Sequence, residues 1–278
     1  MATPDGAPVK GTPLKGPRTF AMAPNGDLYL ALREGNTIYR IDYKTQTLHH
    51  IAGTGENGYS GDGGPAKEAT FKQPHSIQFD PAGDLFICDI GNHVLRKVDM
   101  KTGVISTFAG TGKAGPTPDG APLAGTPLNG PRSLDFDAAG NLWLATREGN
   151  QVFKFDLKAG KIQHIAGTGK KGFTGHGGPA KDATLSGPKG IAVAPNGNVY
   201  LADTESHSVR MVDVKKGTLE LICGTGEKGD GPDGDPVDFR VHGIECVPIG
   251  LNDAIDDKQT LHAFYDLSIY PHTYDFTY

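Results

Sequence analysis

Basic residues recur at a fixed spacing along the chain. Arg18, His75, Arg132 and Lys189 each follow a proline and lie 57 residues apart, and His242 holds the corresponding place in a more degenerate stretch. Cationic side chains that converge on one point bind carboxylates or phosphates, because they supply charge and hydrogen-bond donors together. If the fold brings these residues together they form a site for a small anion. Otherwise each pairs with an acid of a neighbouring unit or is solvated.

A second polar set follows the second predicted strand of each unit. Its members are Arg33, Glu34 and Asn36 in unit 1, Asp89, Asn92 and His93 in unit 2, Arg147, Glu148 and Asn150 in unit 3, and Asp203, Glu205 and His207 in unit 4. Of these, the expected rim residues are Arg33, Glu34, Arg147, Glu148, Asp89 and Asp203. An Arg-Glu-Gly-Asn sequence alternates with an Asp-x-x-x-His sequence, so neighbouring units present different chemistry and could form the rim of an elongated site. Asp and Asn also stabilise turns by accepting hydrogen bonds from backbone N–H groups, which gives the set an alternative, structural role.

Other site chemistry finds little support in the sequence. Most histidines come from different units, and the adjacent pair His49 and His50 would point to opposite faces of a strand, so we predict neither a metal site nor a cofactor. No serine lies in a nucleophile elbow, and no catalytic residue is assigned. Three cysteines without C-x-x-C spacing indicate neither a disulfide framework nor a zinc knuckle, and Cys88 and Cys223, which replace alanines of other units, are expected to be buried.

Composition restricts the possible partners. The 278 residues include 40 Gly and 20 Pro, are 37% hydrophobic and carry a net charge of −5. Many short strands with tight turns fit this composition, whereas a nucleic-acid binder would show a basic patch. No apolar run reaches the ~18–20 residues that span a membrane, and the first residues do not resemble a secretion signal. We therefore expect a soluble chain that contacts neither nucleic acid nor membrane.

The elements that must position these residues form an internal repeat. GTG follows Ala52, Ala109, Ala166 and Cys223 at steps of 57 residues, and a longer period of 114 residues divides the units into two alternating subtypes. Each unit reads as four short strands around Gly and Asn turns, which predicts an antiparallel meander. Arg40, Arg96, Lys154 and Arg210 are predicted to share one structural position in the third strands.

Several motifs resemble those of the NHL-repeat family of β-propellers. They are PKGIAV at 188–193, NGNVYLAD at 196–203, and Asn92-His93-Val94, with AGTG-like and GDGGPA-like links. The resemblance covers about residues 1–240 and implies an all-β propeller built from four-stranded antiparallel blades. Family members include protein-binding and RNA-binding modules, extracellular sensor domains, and a few lyases and lactonases. Relatives with such links are often exported, so export is possible here, but the compartment is not predicted.

The number of blades stays open at this stage. Clear blades cover about residues 17–55, 74–112, 131–169 and 188–226, and a degenerate fifth covers 241–278 of what we treat as one domain. The chain could form a closed five-bladed ring or an incomplete six-bladed ring, or its last stretch could be non-native sequence. An open ring exposes strand edges, so self-association is expected in that case.

The function that fits best is a non-catalytic recognition scaffold. It would bind a small anionic molecule or a protein segment on the face where the long links emerge, with the basic residues at the mouth of the channel. The alternative is an enzyme similar to the propeller lyases or lactonases, with His75 as acid–base group or metal ligand. A third possibility is a purely structural array within a longer extracellular protein.

Overall fold

The computed structural model describes residues 2–228, which form four antiparallel sheets. The first two blades contain β2 (Pro17–Met22), β3 (Leu28–Leu32), β4 (Thr37–Asp42) and β5 (Thr47–Ala52), then β6 (Pro74–Phe79), β7 (Leu85–Asp89), β8 (Val94–Val98) and β9 (Ile105–Gly110). The next two contain β10 (Pro131–Phe136), β11 (Leu142–Thr146), β12 (Gln151–Asp156) and β13 (Lys161–Ala166), then β15 (Pro188–Val193), β16 (Val199–Asp203), β17 (Ser208–Asp213) and β18 (Thr218–Cys223). The predicted all-β fold of four-stranded meanders is confirmed.

Shorter elements connect the blades. Two-residue strands β1 (Ala7–Pro8) and β14 (Gly178–Pro179) pair with β5 and β18. Single turns of 3₁₀ helix lie at Ala66–Glu68, Ile90–Asn92, Ala180–Asp182 and Thr204–Ser206. No helix within residues 2–228 is long and apolar enough to cross a membrane. The fifth unit, and with it the closure of the ring, lies outside the described residues.

The core lies between successive blades. Strand β2 packs beside β6, β6 beside β10, and β10 beside β15, so the first strand of each blade is its innermost one. Alternate residues of the strands fill the space between sheets: Phe86 of blade 2 meets Phe136 of blade 3 edge-to-face at 5.1 Å between ring centroids. Tyr29 and Phe79 make the corresponding contact between blades 1 and 2, at 4.8 Å.

Each long link covers the outer edge of the blade that follows it. Gly63 donates its N–H to the carbonyl of Ile105 in β9 (2.8 Å), and Ile105 donates to Gly64 O (3.0 Å). The pairing of β14 with β18 does the same for blade 4. An uncovered outer strand would offer unpaired N–H and C=O groups to other chains, and these links satisfy them.

Two fully buried arginines fasten these links. Arg96 donates from Nη2 to Ser60 O (3.1 Å) and to Asp62 Oδ1 (2.7 Å). Arg210 donates from Nη2 to Thr174 O (2.8 Å). Neither arginine side chain is exposed to solvent, so both have a structural role.

The prediction that Arg40 and Lys154 share the position of these arginines is wrong. Arg96 pairs with Ile87 in the strand register, whereas Arg40 lies one residue further along its strand and pairs with Tyr29. Successive residues of a strand point to opposite faces, so this shift by one residue moves the side chain to the other side of the sheet. Arg40 there contacts Asp27 at 3.2 Å, and Lys154 contacts Asp137 at 3.7 Å.

The cysteines that the structure describes differ in exposure. Cys88 is fully buried in β7, as predicted. Cys223 at the end of β18 is only partly buried, because it lies in the outermost strand of its blade. Both are free thiols.

Candidate anion-binding site at the ends of the inner strands

The four predicted basic residues within residues 2–228 occupy equivalent places. Each is the second residue of an innermost strand: Arg18 in β2, His75 in β6, Arg132 in β10 and Lys189 in β15. Because these strands are consecutive neighbours, the four residues lie at the same end of the stack, and we call them the mouth residues. The fifth predicted member, His242, lies outside the described residues.

A β-bulge lies at each mouth residue. The strand register shifts between Pro17 and Thr19, and likewise between Pro131 and Ser133 and between Pro188 and Gly190. In blade 2 the shift falls between Pro74 and Ile77. A bulge re-aims a side chain at the rim of a sheet, and here the sequence places a basic residue at each one.

His75 is the most enclosed of the mouth residues. It is 4% exposed, and neither Nδ1 nor Nε2 of its buried ring has a hydrogen-bond partner among the described residues. Burial lowers the pKa of His75 well below its usual range, and the positive charges of Arg132, Arg18, Arg33 and Lys189 lower it further. The imidazole is therefore neutral at pH 7, and it sits within the field of four cations.

The side chain of Glu34 pairs with two arginines of blade 1. Arg33 Nη1 lies 2.6 Å from Glu34 Oε1, and Arg18 Nη2 lies 3.4 Å from the same oxygen. Partial burial by itself raises the pKa of Glu34, but the hydrogen bond from Arg33 and the charge of Arg18 outweigh it and leave the pKa below its usual value. The carboxylate thus stays ionised beside the mouth.

Arginines of the odd-numbered blades also reach into the next blade. Arg147 Nη1 contacts Glu148 Oε1 at 2.8 Å, and its Nη2 contacts Glu205 Oε1 of blade 4 at 2.6 Å. Lys171 Nζ adds a contact with Glu205 Oε2 at 2.7 Å. Between blades 1 and 2, Arg33 Nη2 instead donates to the amide oxygen of Gln73 at 2.9 Å. These contacts join blade 1 to blade 2 and blade 3 to blade 4.

Two of the predicted rim residues lie beneath the surface. Asp89 and Asp203 have no exposed area. Asp89 Oδ1 accepts the backbone N–H of Lys72 and Asp203 Oδ1 that of Ser186, both at 2.7 Å. They fix the link before the inner strand, which is the structural role that Asp has in turns. Burial raises the pKa of Asp89 to about 7, although hydrogen bonds from Asn92 and from the Lys72 N–H oppose the shift.

Glu205 belongs to the second polar set but was not selected as a rim residue from the sequence. It lies 57 residues after Glu148 and 171 after Glu34, so a strict application of the repeat would have selected it instead of Asp203. Gln73 carried no such signal, because its equivalents in the other units are glycines, and Lys171 recurs only as Lys228, with Asn57 and Ala114 at the other equivalent positions. The structure places Arg33 and Glu34 beside Arg18, and separately Arg147 and Glu148 beside Glu205.

A metal site has no ligand set in the part of the chain that the structure describes. Within residues 2–228, no group of three or more His, Cys, Asp or Glu side chains is placed to hold a metal ion. The arrangement at the mouth offers guanidinium and ammonium groups, which are donors, and a neutral imidazole, which donates from one ring nitrogen and accepts at the other. These groups match the oxygens of an anion.

Comparison with known proteins agrees with the fold. A family model described as the Teneurin NHL domain matches residues 140–231. The chain is 26% identical over 219 residues to Protein SUPPRESSOR OF QUENCHING 1, chloroplastic, of Arabidopsis thaliana, covering 77% of this chain and 20% of that protein. It is 27% identical over 207 residues to NHL repeat-containing protein 2 of Homo sapiens, covering 66% of this chain and 27% of that protein.

Among solved structures, the chain resembles a virginiamycin B lyase from Staphylococcus aureus with a TM-score of 0.52 and 16% identity, over 76% of this chain and 56% of that one. At this identity the likeness concerns the propeller fold alone. The chain spans about a fifth to a quarter of the length of the two curated relatives. The repeated meanders, the packing of their inner strands and these matches together support the resemblance to NHL-repeat β-propeller proteins.

Proposed function

We propose that this protein is a recognition scaffold that binds a small anionic molecule, or an anionic group of a protein segment, at the mouth residues. The observation that carries the proposal is the state of His75. A ring that is 4% exposed keeps two nitrogens without a hydrogen-bond partner within residues 2–228, in the field of four cationic side chains. Buried polar groups are nearly always paired, so such a ring is a candidate for pairing with a ligand.

The charges around His75 favour an anion. Among the residues that the structure describes, the cationic side chains of the mouth and its rim are Arg18, Arg33, Lys72, Arg132, Arg147, Lys171 and Lys189, and the carboxyl groups are Glu34, Glu148 and Glu205 with the buried Asp89 and Asp203. The chain as a whole carries a net charge of −5, so cationic side chains are concentrated here against the overall balance. Converging cations raise the local concentration of anions and orient them through charged hydrogen bonds.

The first test is a titration of the purified protein with inorganic phosphate, acetate and succinate. Binding would be followed by isothermal calorimetry and by the NMR resonances of the His75 ring. We expect one of these anions to bind and to raise the pKa of His75, since a negative charge offsets the four cations. If none binds and the ring resonances do not move, the proposal is wrong.

A matched pair of variants tests the location. Arg18→Ala with Arg132→Ala removes two mouth guanidiniums, and we expect at least about a tenfold loss of affinity, because hydrogen bonds to charged groups contribute about 1.5–3 kcal/mol each. Arg40→Ala with Lys154→Ala removes two cations beside Asp27 and Asp137, in the turns at the opposite end of the blades, and should leave affinity unchanged. Equal losses in both variants would indicate a general charge effect rather than a site.

A further inference from the structure

One position beside the mouth differs between blade 2 and the other described blades. Glu34, Glu148 and Glu205 are spaced by 57-residue steps, and at the same spacing blade 2 has Gly91. Blades 1, 3 and 4 therefore each carry a carboxylate side chain at this position. Blade 2 has none at this position.

The residue before the opening proline differs in the same way. In blades 1, 3 and 4 it is a glycine over which the glutamate lies: a Cβ added to Gly16 would be 1.4 Å from Glu34 Oε2, and one added to Gly130 would be 1.6 Å from Glu148 Oε2. Any side chain at these glycines would thus displace the carboxylate. In blade 2 this glycine is replaced by Gln73, which adopts a positive φ of 59°.

Blade 4 is the matched comparison for blade 2, because both have a 3₁₀ turn after the second strand. In blade 4 the Glu205 carboxylate contacts Arg147 and Lys171. In blade 2 the arginine from the preceding blade, Arg33, donates instead to the neutral amide oxygen of Gln73. One negative charge has been replaced by an uncharged group.

A lysine takes part of the space as well. A Cβ on Gly91 would lie 2.4 Å from Cγ of Lys72, so the stem of this lysine crosses the glycine. Lys72 and Gln73 are both exposed, which leaves their ends free to adjust to a ligand. Relative to blade 4, Lys72 replaces Ser186 while Asn57 replaces Lys171, so the number of lysines is unchanged and the net change is the loss of one carboxylate.

His75 belongs to this same corner of the molecule. The N–H of Gly91 donates to Lys72 O at 2.8 Å, three residues before His75, and the 3₁₀ turn Ile90–Asn92 packs on β6. The unpartnered ring of His75 therefore lies in the blade whose own carboxylate is missing.

We propose that the ligand is a carboxylate, and that it docks at blade 2 in the place that a glutamate occupies in blades 1, 3 and 4. This assignment rests on the proposed anion-binding function and makes Gly91 and Gln73 its specificity-determining residues. A ligand oxygen would accept a hydrogen bond from His75, and the cations of Arg33 and Lys72 would balance its charge. Arginines of the rim bind carboxylates in the described blades, because Arg33 and Arg147 each contact a glutamate oxygen at 2.6 Å.

The test transplants the blade 4 residues into blade 2. In the triple variant Lys72→Ser, Gln73→Gly and Gly91→Glu, blade 2 carries the same three residues as Ser186, Gly187 and Glu205. The introduced glutamate should compete with the ligand from within the chain. We expect calorimetry to show that acetate affinity falls at least about tenfold, while thermal unfolding stays cooperative.

The converse variant is Glu205→Gln, which removes the charge of the blade 4 carboxylate but keeps its size. It should create a second acetate-responsive site, seen as new shifts of backbone resonances near Lys189 in an NMR titration. This variant keeps the assignment testable if the triple variant fails to fold, and the absence of new shifts would then overturn it.

The outcomes separate the two proposals. Wild-type protein that binds neither acetate nor phosphate refutes anion binding itself. If wild-type binds phosphate but not acetate, or if the folded triple variant binds acetate as tightly as wild-type, anion binding stands but the carboxylate assignment to blade 2 is wrong.

Discussion

Replacing Arg210 by Met should destabilise the protein strongly, because this guanidinium is completely buried and holds three groups at once. It contacts Asp203 Oδ2 and Thr184 O, each at 3.4 Å, and Thr174 O at 2.8 Å. It also lies over the ring of Phe173, with 5.1 Å between Cζ and the ring centroid. The variant would leave a buried carboxylate without its cation and two link carbonyls without their donor.

The size of the effect follows from these contacts. Removing one partner of a buried ion pair costs about 3–5 kcal/mol, and most of that cost is the charge left behind. Burial raises the pKa of Asp203, while Ser206, the Ser186 N–H and Arg210 hold it down. Without Arg210 this pKa rises further, so the carboxyl protonates more readily. The loss should therefore be about 3–5 kcal/mol near pH 7.5 and smaller near pH 5.

Urea unfolding followed by circular dichroism measures this difference. Adding Asp203→Asn to the variant should recover part of the loss, which gives a coupling free energy of about 1–3 kcal/mol for the pair. Lys154→Met is the matched control: its partly exposed pair with Asp137 should contribute at most about 1 kcal/mol. A loss of less than about 1 kcal/mol in Arg210→Met would refute the idea that this arginine fastens the link.

Three further predictions concern stability. Burial raises the pKa of Asp89 to about 7, so its protonated form stabilises the folded state at low pH, and this contribution is lost as the pH rises through 7. The unfolding free energy should therefore fall less between about pH 5 and 7.5 in Asp89→Asn than in wild-type. Gly53→Ala should cost about 2–4 kcal/mol in urea unfolding, since its Cβ would lie 2.2 Å from Asn36 O, whereas Gly63→Ala, also at positive φ but with no atom within 4 Å, should cost about 1–2 kcal/mol. Phe86→Ala should lower the unfolding free energy by about 3–5 kcal/mol, as its ring fills the space between blades 2 and 3.

The sequence was sufficient for the meanders and for the position of the mouth residues. The strands are specified by alternation of apolar and polar residues, and their turns by Gly and Asn, so both signals are local. The 57-residue repeat then places Arg18, His75 and Arg132 at equivalent ends of neighbouring strands, because equal units stack in equal ways.

Burial was harder to foresee. Asp89 ends β7 and Glu34 lies just after β3, and both carry a carboxyl group. The first is completely buried, whereas the second is partly exposed and pairs with two arginines. They lie two residues apart in the repeat, and the strand end changes direction between these positions. A shift of one residue likewise separated Arg40 from Arg96, since side chains of a strand alternate between its faces.

By itself, the sequence determined the all-β architecture, the period and the chemistry offered at each inner strand, because these depend on residues near one another in the chain. Only the tertiary structure decided which cations have a carboxylate beside them, and that blade 2 has an amide and a lysine there instead. Those contacts join residues tens of positions apart, such as Arg147 and Glu205. They depend on how blades and links stack. A repeat pattern specifies which positions lie close together, but not which side chains form ion pairs there.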